Sequence, residues 1–179
     1  MTASGIKALI IWVTTFLILG LGLSVARAGD FEDESGILCQ YIDWFHRNVK
    51  PVRSEMAKEV VPTVVKYSHE YAVDPLLVAC LISWESSWRP RPGALGERGP
   101  MQVMPGKWSL RFDLDTLDGQ MEAGIARLSL AFEKCGTLER ALTHYASGSC
   151  VSKSERTQRK IRYRVRYYQK VNEKFRGEK

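Results

Sequence analysis

Residues 76–82 read Leu-Leu-Val-Ala-Cys-Leu-Ile, an unbroken apolar run introduced by Asp74-Pro75. Aspartate followed by proline is an N-cap with proline at the first helical position. A helix that is apolar on all sides cannot lie on a surface, so other elements must enclose it. The chain has 179 residues, enough for one domain with a core of that kind. Pro90, Pro92 and Gly93 are the expected stop signals.

The rest of the chain supplies the enclosing helices. Ile37, Tyr41, Trp44 and Phe45 space as one helical face, and a second helix is predicted over Val52–Tyr71, with Pro62 bending or splitting it. After a loop through Gly99, a short helix is expected at about Met101–Trp108. Leu117, Met121, Ile125, Leu128 and Phe132 mark another helix, stopped at Gly136. Leu138, Ala141, Leu142 and Tyr145 mark one more, and Ile161, Val165, Tyr168, Val171 and Phe175 stripe the last. No segment alternates strongly enough to be a strand, and there is no repeat or low-complexity linker. The expectation is a mainly α single domain.

Lys7 precedes an apolar run over residues 8–23, and Ala26-Arg27-Ala28 follows with small residues at the two positions a signal peptidase reads. Residues 1–28 are therefore read as a signal peptide, leaving residues 29–179 as the mature domain of an exported, periplasmic protein. The competing reading is an inner-membrane anchor formed by uncleaved residues 8–23, a run slightly short of the roughly 20 residues of a span. Four cysteines fit an oxidising compartment and allow three pairings. Cys135 and Cys150 bracket a short helical segment and are the preferred pair, while Cys80 suits a small core residue and a Cys39–Cys80 bridge stays open.

The net charge of +6 is unevenly spread, with eleven Lys or Arg against three Asp or Glu from Lys153 to the C-terminus. A solvated helix face is the plain explanation. Attraction to a polyanion is the functional one. Without a nucleic-acid reading motif, cell-wall carboxylates or anionic head groups fit an exported chain better. The peripheral contact is expected through the basic C-terminal helix.

Glu85 follows the most hydrophobic stretch of the mature chain, with Leu81 and Ile82 before it and Trp88 after it at helical spacing. An apolar setting disfavours the carboxylate form, and a carboxyl still protonated near neutrality can serve as a general acid. The plain alternative is a glutamate at a helix end pointing to water. His46, His69 and His144 show no metal-ligand spacing. Neither a serine-nucleophile elbow nor a phosphate or dinucleotide fingerprint is present. No cofactor is implied.

Glu85-Ser86-Ser87-Trp88-Arg89-Pro90, then Gly99-Pro100-Met101-Gln102-Val103-Met104-Pro105, then Ala141-Leu142-Thr143-His144-Tyr145-Ala146-Ser147-Gly148 occur in that order. This order resembles the lytic transglycosylase family with the lysozyme-like SLT fold, over roughly Val60 to Tyr168. Tyr71-Ala72-Val73-Asp74-Pro75 is similar to the family's lead-in to its catalytic helix. The resemblance implies that Glu85 is the catalytic acid and that Ser86 positions it by hydrogen bonding. It also implies that Met101 and Gln102 line the glycan groove and that Tyr145 faces the glutamate across the cleft. Two positions depart from the pattern: Ala146 stands where the family usually has Asn, and Gly93-Ala94-Leu95 offers no hydroxyl where the family often has Ser.

The same resemblance implies cleavage of the bond between MurNAc and GlcNAc in peptidoglycan strands, with a 1,6-anhydro product. Most glycosidases need two carboxylates. In the family that the chain resembles one suffices, because the substrate supplies its own nucleophile. A lysozyme-like muramidase would instead want a second carboxylate, for which Glu97, Asp113 and Asp115 are candidates by position. A non-catalytic glycan-binding assembly protein is the rival from another class. The chain's size fits wall opening for secretion, pilus, conjugation or phage machinery.

Overall fold

The structure is a computed structural model that describes residues 28–89 and 92–177. The expected export segment up to Arg27, the 8–23 anchor alternative and Pro90 lie outside the described residues.

Among the described residues, six α-helices and one short 3-10 turn run in the order α1 (Ala28–Asn48), α2 (Ser54–Glu70), α3 (Pro75–Glu85), the turn (Lys107–Arg111), α4 (Leu117–Cys135), α5 (Leu138–Ser147) and α6 (Glu155–Arg176). Among the described residues there is no strand, only an isolated antiparallel bridge between Arg98 and Val103. The chain is a mainly α single domain.

The apolar run forms the central helix. Residues 75–83 of α3 are all buried, and α1, α2 and α6 pack around them. Each fully buried Leu or Ile here contributes roughly 1.5–3 kcal/mol relative to exposure, which makes α3 the element that holds the others. The side chain of Asp74 accepts from the Leu76 amide at 2.9 Å, as the Asp-Pro pair predicts. The α4–α5 pair closes the other side, α4 against α2 and α5 against α6.

Three expectations change in detail. Pro62 lies inside α2 without splitting it, because its position is exposed and water can take the carbonyl it frees. The helix α3 stops at Glu85, ahead of the prolines. The amides of Ser86 and Ser87 both close on the Ile82 carbonyl, and Ser87 and Trp88 then take left-handed φ values of 53° and 58°. Such values are costly for residues with a Cβ and hold only where surrounding contacts fix them. Trp88 is so fixed: it is fully buried, and its Nε1 donates to Ser83 Oγ at 2.8 Å. Tyr41 of α1 meets the same Ser83 oxygen at 2.8 Å. Finally, the short helix expected at about Met101–Trp108 is displaced to Lys107–Arg111, because the Arg98–Val103 bridge holds residues 98–103 in a tight reversal.

Cys135 and Cys150 form a disulfide with Cα atoms 5.5 Å apart. Cys39 is exposed and Cys80 buried, both as free thiols, so the Cys39–Cys80 alternative is not realised.

Candidate active site

A cleft of about 170 Å³ opens beside the C-terminal end of α3, lined by Glu85, Glu97, Gln102, Met104, Arg127, Tyr145, Ala146 and Lys160. Three of the sequence-predicted residues, Glu85, Gln102 and Tyr145, thus reach one space from three distant segments.

Glu85 is the last residue of α3, and its side chain is 19% exposed. The apolar surround expected for it is not what it meets. Trp88 turns off the helix and into the core, and Glu85 Oε1 accepts from Arg164 Nη1 of α6 at 2.7 Å. Arg164 is only 2% exposed, and its guanidinium sits 5.2 Å over the Trp84 ring. Among the described residues, Arg164 Nη2 is buried without a hydrogen-bond partner.

Ser86 caps α3. It is buried, and its hydroxyl donates to the Ile82 carbonyl at 3.3 Å, so it stabilises the helix end that carries Glu85 and does not face the cleft. Tyr145, on α5, is buried, and its hydroxyl donates to the Met101 carbonyl at 2.8 Å. Burial first, and the nearby Glu85 charge second, push its phenol well above the ordinary value, so it acts here as a proton-bearing donor.

Met101 and Gln102 divide their work. Met101 is fully buried and is not among the cleft-lining residues; its side chain packs on α4 at Gly124, where a Cβ would come 2.6 Å from the Met101 sulfur and 2.7 Å from its Cβ. The absence of a side chain at Gly124 is therefore what admits Met101. Gln102 faces the cleft with φ at 51°, a left-handed value for a residue with a side chain. Its Nε2 donates to the Gly99 carbonyl at 2.9 Å, which ties the strained loop together.

Sequence reasoning missed Arg127, Lys160 and Arg164. The Arg127 guanidinium donates to the Tyr145 carbonyl at 3.1 Å and stands 5.2 Å over its ring, so it braces the tyrosine. Burial first and Arg164 second pull the Lys160 ammonium below its ordinary value, with Glu85 opposing. Arg164 had a signal: Ile161, Arg164, Tyr168, Val171 and Phe175 space three and four apart, so Arg164 occupies a core position in its helix's apolar stripe. Arg127 and Lys160 carry no comparable mark.

Of the candidate second carboxylates, Glu97 lines the cleft and accepts from the Leu95 amide at 2.9 Å. Asp113 and Asp115 are exposed and do not line it, and Asp115 pairs with Arg98 at 3.5 Å. Among the described residues, no group of three or more His, Cys, Asp or Glu side chains could hold a metal ion. Likewise, no described helix is long and apolar enough to cross a membrane.

No protein-family model, curated protein or solved structure matches the chain.

Proposed function

We propose that this chain is a peptidoglycan lytic transglycosylase that cuts the β-1,4 bond between MurNAc and GlcNAc, with Glu85 as both acid and base. The observation that carries the proposal is the convergence of Glu85, Gln102 and Tyr145 on one cleft from segments that follow one another in the order of the family motifs.

In the first step, Glu85 gives its proton to the bridging oxygen as the bond from that oxygen to C1 of MurNAc breaks. The MurNAc N-acetyl oxygen stabilises the cation developing at C1. In the second step, the Glu85 carboxylate takes the proton from the sugar's O6, and O6 attacks C1 to close the 1,6-anhydro ring. Glu85 ends protonated, as it began, and no water is consumed. The attack is intramolecular and gains high effective molarity. Gln102 and the fixed Tyr145 hydroxyl would set the strand in the cleft. Export to the periplasm belongs to the same proposal, and the Cys135–Cys150 disulfide supports it.

Glu97 favours a second reading, hydrolysis on the same cleft, because a second carboxylate there could hold a water. Mass analysis of muropeptides released by the purified protein separates the two. Anhydro products, lighter by one water, support the proposal; reducing-end products alone would replace it with the hydrolase. If the wild-type chain binds glycan yet releases nothing, Glu85 is a counter-ion for Arg164 in a glycan-binding protein.

A further inference from the structure

We infer that Arg164 is the positioning residue for Glu85, pinning Oε1 so that Oε2 is the oxygen that exchanges the proton with substrate. The inference rests on the lytic reading above and adds to it a division of labour between the two carboxyl oxygens.

Glu85 is the terminal residue of its helix, and after the capping Ser86 the backbone leaves the helix through two left-handed residues. A glutamate in such a place keeps several rotamers unless something holds it. Arg164 does so from α6, 79 residues further on, through a charge-assisted bond of 2.7 Å. The guanidinium is itself immobile, being 2% exposed and seated 5.2 Å over the Trp84 ring. A buried guanidinium stays charged, and it donates to Oε1 whether Glu85 carries its proton on Oε2 or has given it up. Among the described residues, Glu85 is the one carboxylate in an ion pair with it. The same Glu85 side chain lines the cleft. One oxygen is therefore committed to the protein interior, and the other is left for chemistry.

The pair also divides the two chemical steps. When the proton leaves Glu85 for the glycosidic oxygen, the charge left behind appears beside a guanidinium already in place to receive it, with no reorganisation needed. The other charged or titratable groups around Glu85 are Lys160 on α6, Tyr145 on α5, Arg127 on α4 and Glu97 in the loop. At Oε1, Arg164 stands alone as hydrogen-bond donor among the described residues.

The test is steady-state release of muropeptides by Arg164→Met and Arg164→Lys, with melting curves for both. Methionine fills the volume over Trp84 without charge; lysine returns the charge but not the planar fork. The expected result is a fall in kcat of about tenfold to a hundredfold for Arg164→Met, the loss of one hydrogen bond to a charged group. KM should stay within about twofold, since Arg164 does not line the cleft. Arg164→Lys should recover part of the lost kcat. Unchanged or raised kcat in Arg164→Met, with wild-type enzyme active, would overturn the positioning role and leave the lytic reading intact. Equal losses in both variants that track their melting temperatures would also overturn it, in favour of a purely structural arginine. A wild-type chain that releases no anhydro product would remove the lytic reading and this inference together.

Discussion

Arg164 Nη1 and Glu85 Oε1 lie 2.7 Å apart, joining the last helix to the end of the central one. Breaking such a pair from one side leaves an uncompensated charge. Glu85→Gln should therefore destabilise the fold by about 3 kcal/mol as well as abolish turnover. The double variant with Arg164→Met should regain most of the stability and none of the activity. Urea denaturation of the four species measures the coupling. Additive losses would mean that the pair contributes nothing to the fold.

The disulfide encloses α5. Cys135 ends α4, Cys150 follows α5, and Tyr145 lies between them. Closing a loop of 15 residues is worth about 3 kcal/mol in the chain-entropy model. Thermal melts with and without reductant should differ accordingly. Limited proteolysis of the reduced protein should cut first between residues 136 and 150. First cutting elsewhere would show that the tether does not hold this segment.

His144 links stability to acidity. Burial first, then Lys134 and Arg127, pull its imidazolium below the ordinary value. As pH falls, the unfolded chain takes up the proton first, near about pH 6.5. Unfolding then gains protons, so stability is full above that value and declines below it, until the folded state is protonated too. The melting temperature of wild type should drop more than that of His144→Gln between about pH 7 and about pH 5.5. Parallel curves for the two proteins would remove His144 as the cause.

The basic face of α6 should bind anionic surfaces. Ile161 and Val171 are buried, Val165 and Tyr168 are half-buried against the core, and Arg162, Arg166 and Lys170 are exposed. Replacing the three with glutamine should weaken sedimentation with isolated cell walls at low salt. The difference should vanish once the screening length falls to a few ångströms, at about 1 M salt. Equal binding at low salt would leave the face without that role.

Helix order was legible because each helix carries its own period, and the buried α3 was legible because seven consecutive residues left no polar side to expose. The Cys135–Cys150 pair followed from its short spacing. What escaped were features set by distant contacts. The early end of α3 depends on Trp88 reaching Ser83 and on Ser83 meeting Tyr41. The setting of Glu85 depends on an arginine 79 residues away, whose position in an apolar stripe is visible but whose partner is not. Met101 turned inward because Gly124, on another helix, leaves room for it. Local sequence states what a residue prefers; which neighbour satisfies it is decided by the packing.

The helix α6 grips α3 at both ends: Asp74, at the start, accepts from Tyr168 and pairs with Arg176 at 2.9 Å, and Glu85, at the finish, pairs with Arg164. This clasp sets an order of events during synthesis. A ribosome that has made residues 1–150 has supplied every residue lining the cleft except Lys160. Yet at that stage neither end of α3 has its partner from α6, and one flank of an all-apolar helix is uncovered. The cleft is thus completed last, when residues 155–176 dock along α3, and Glu85 is unheld until that moment.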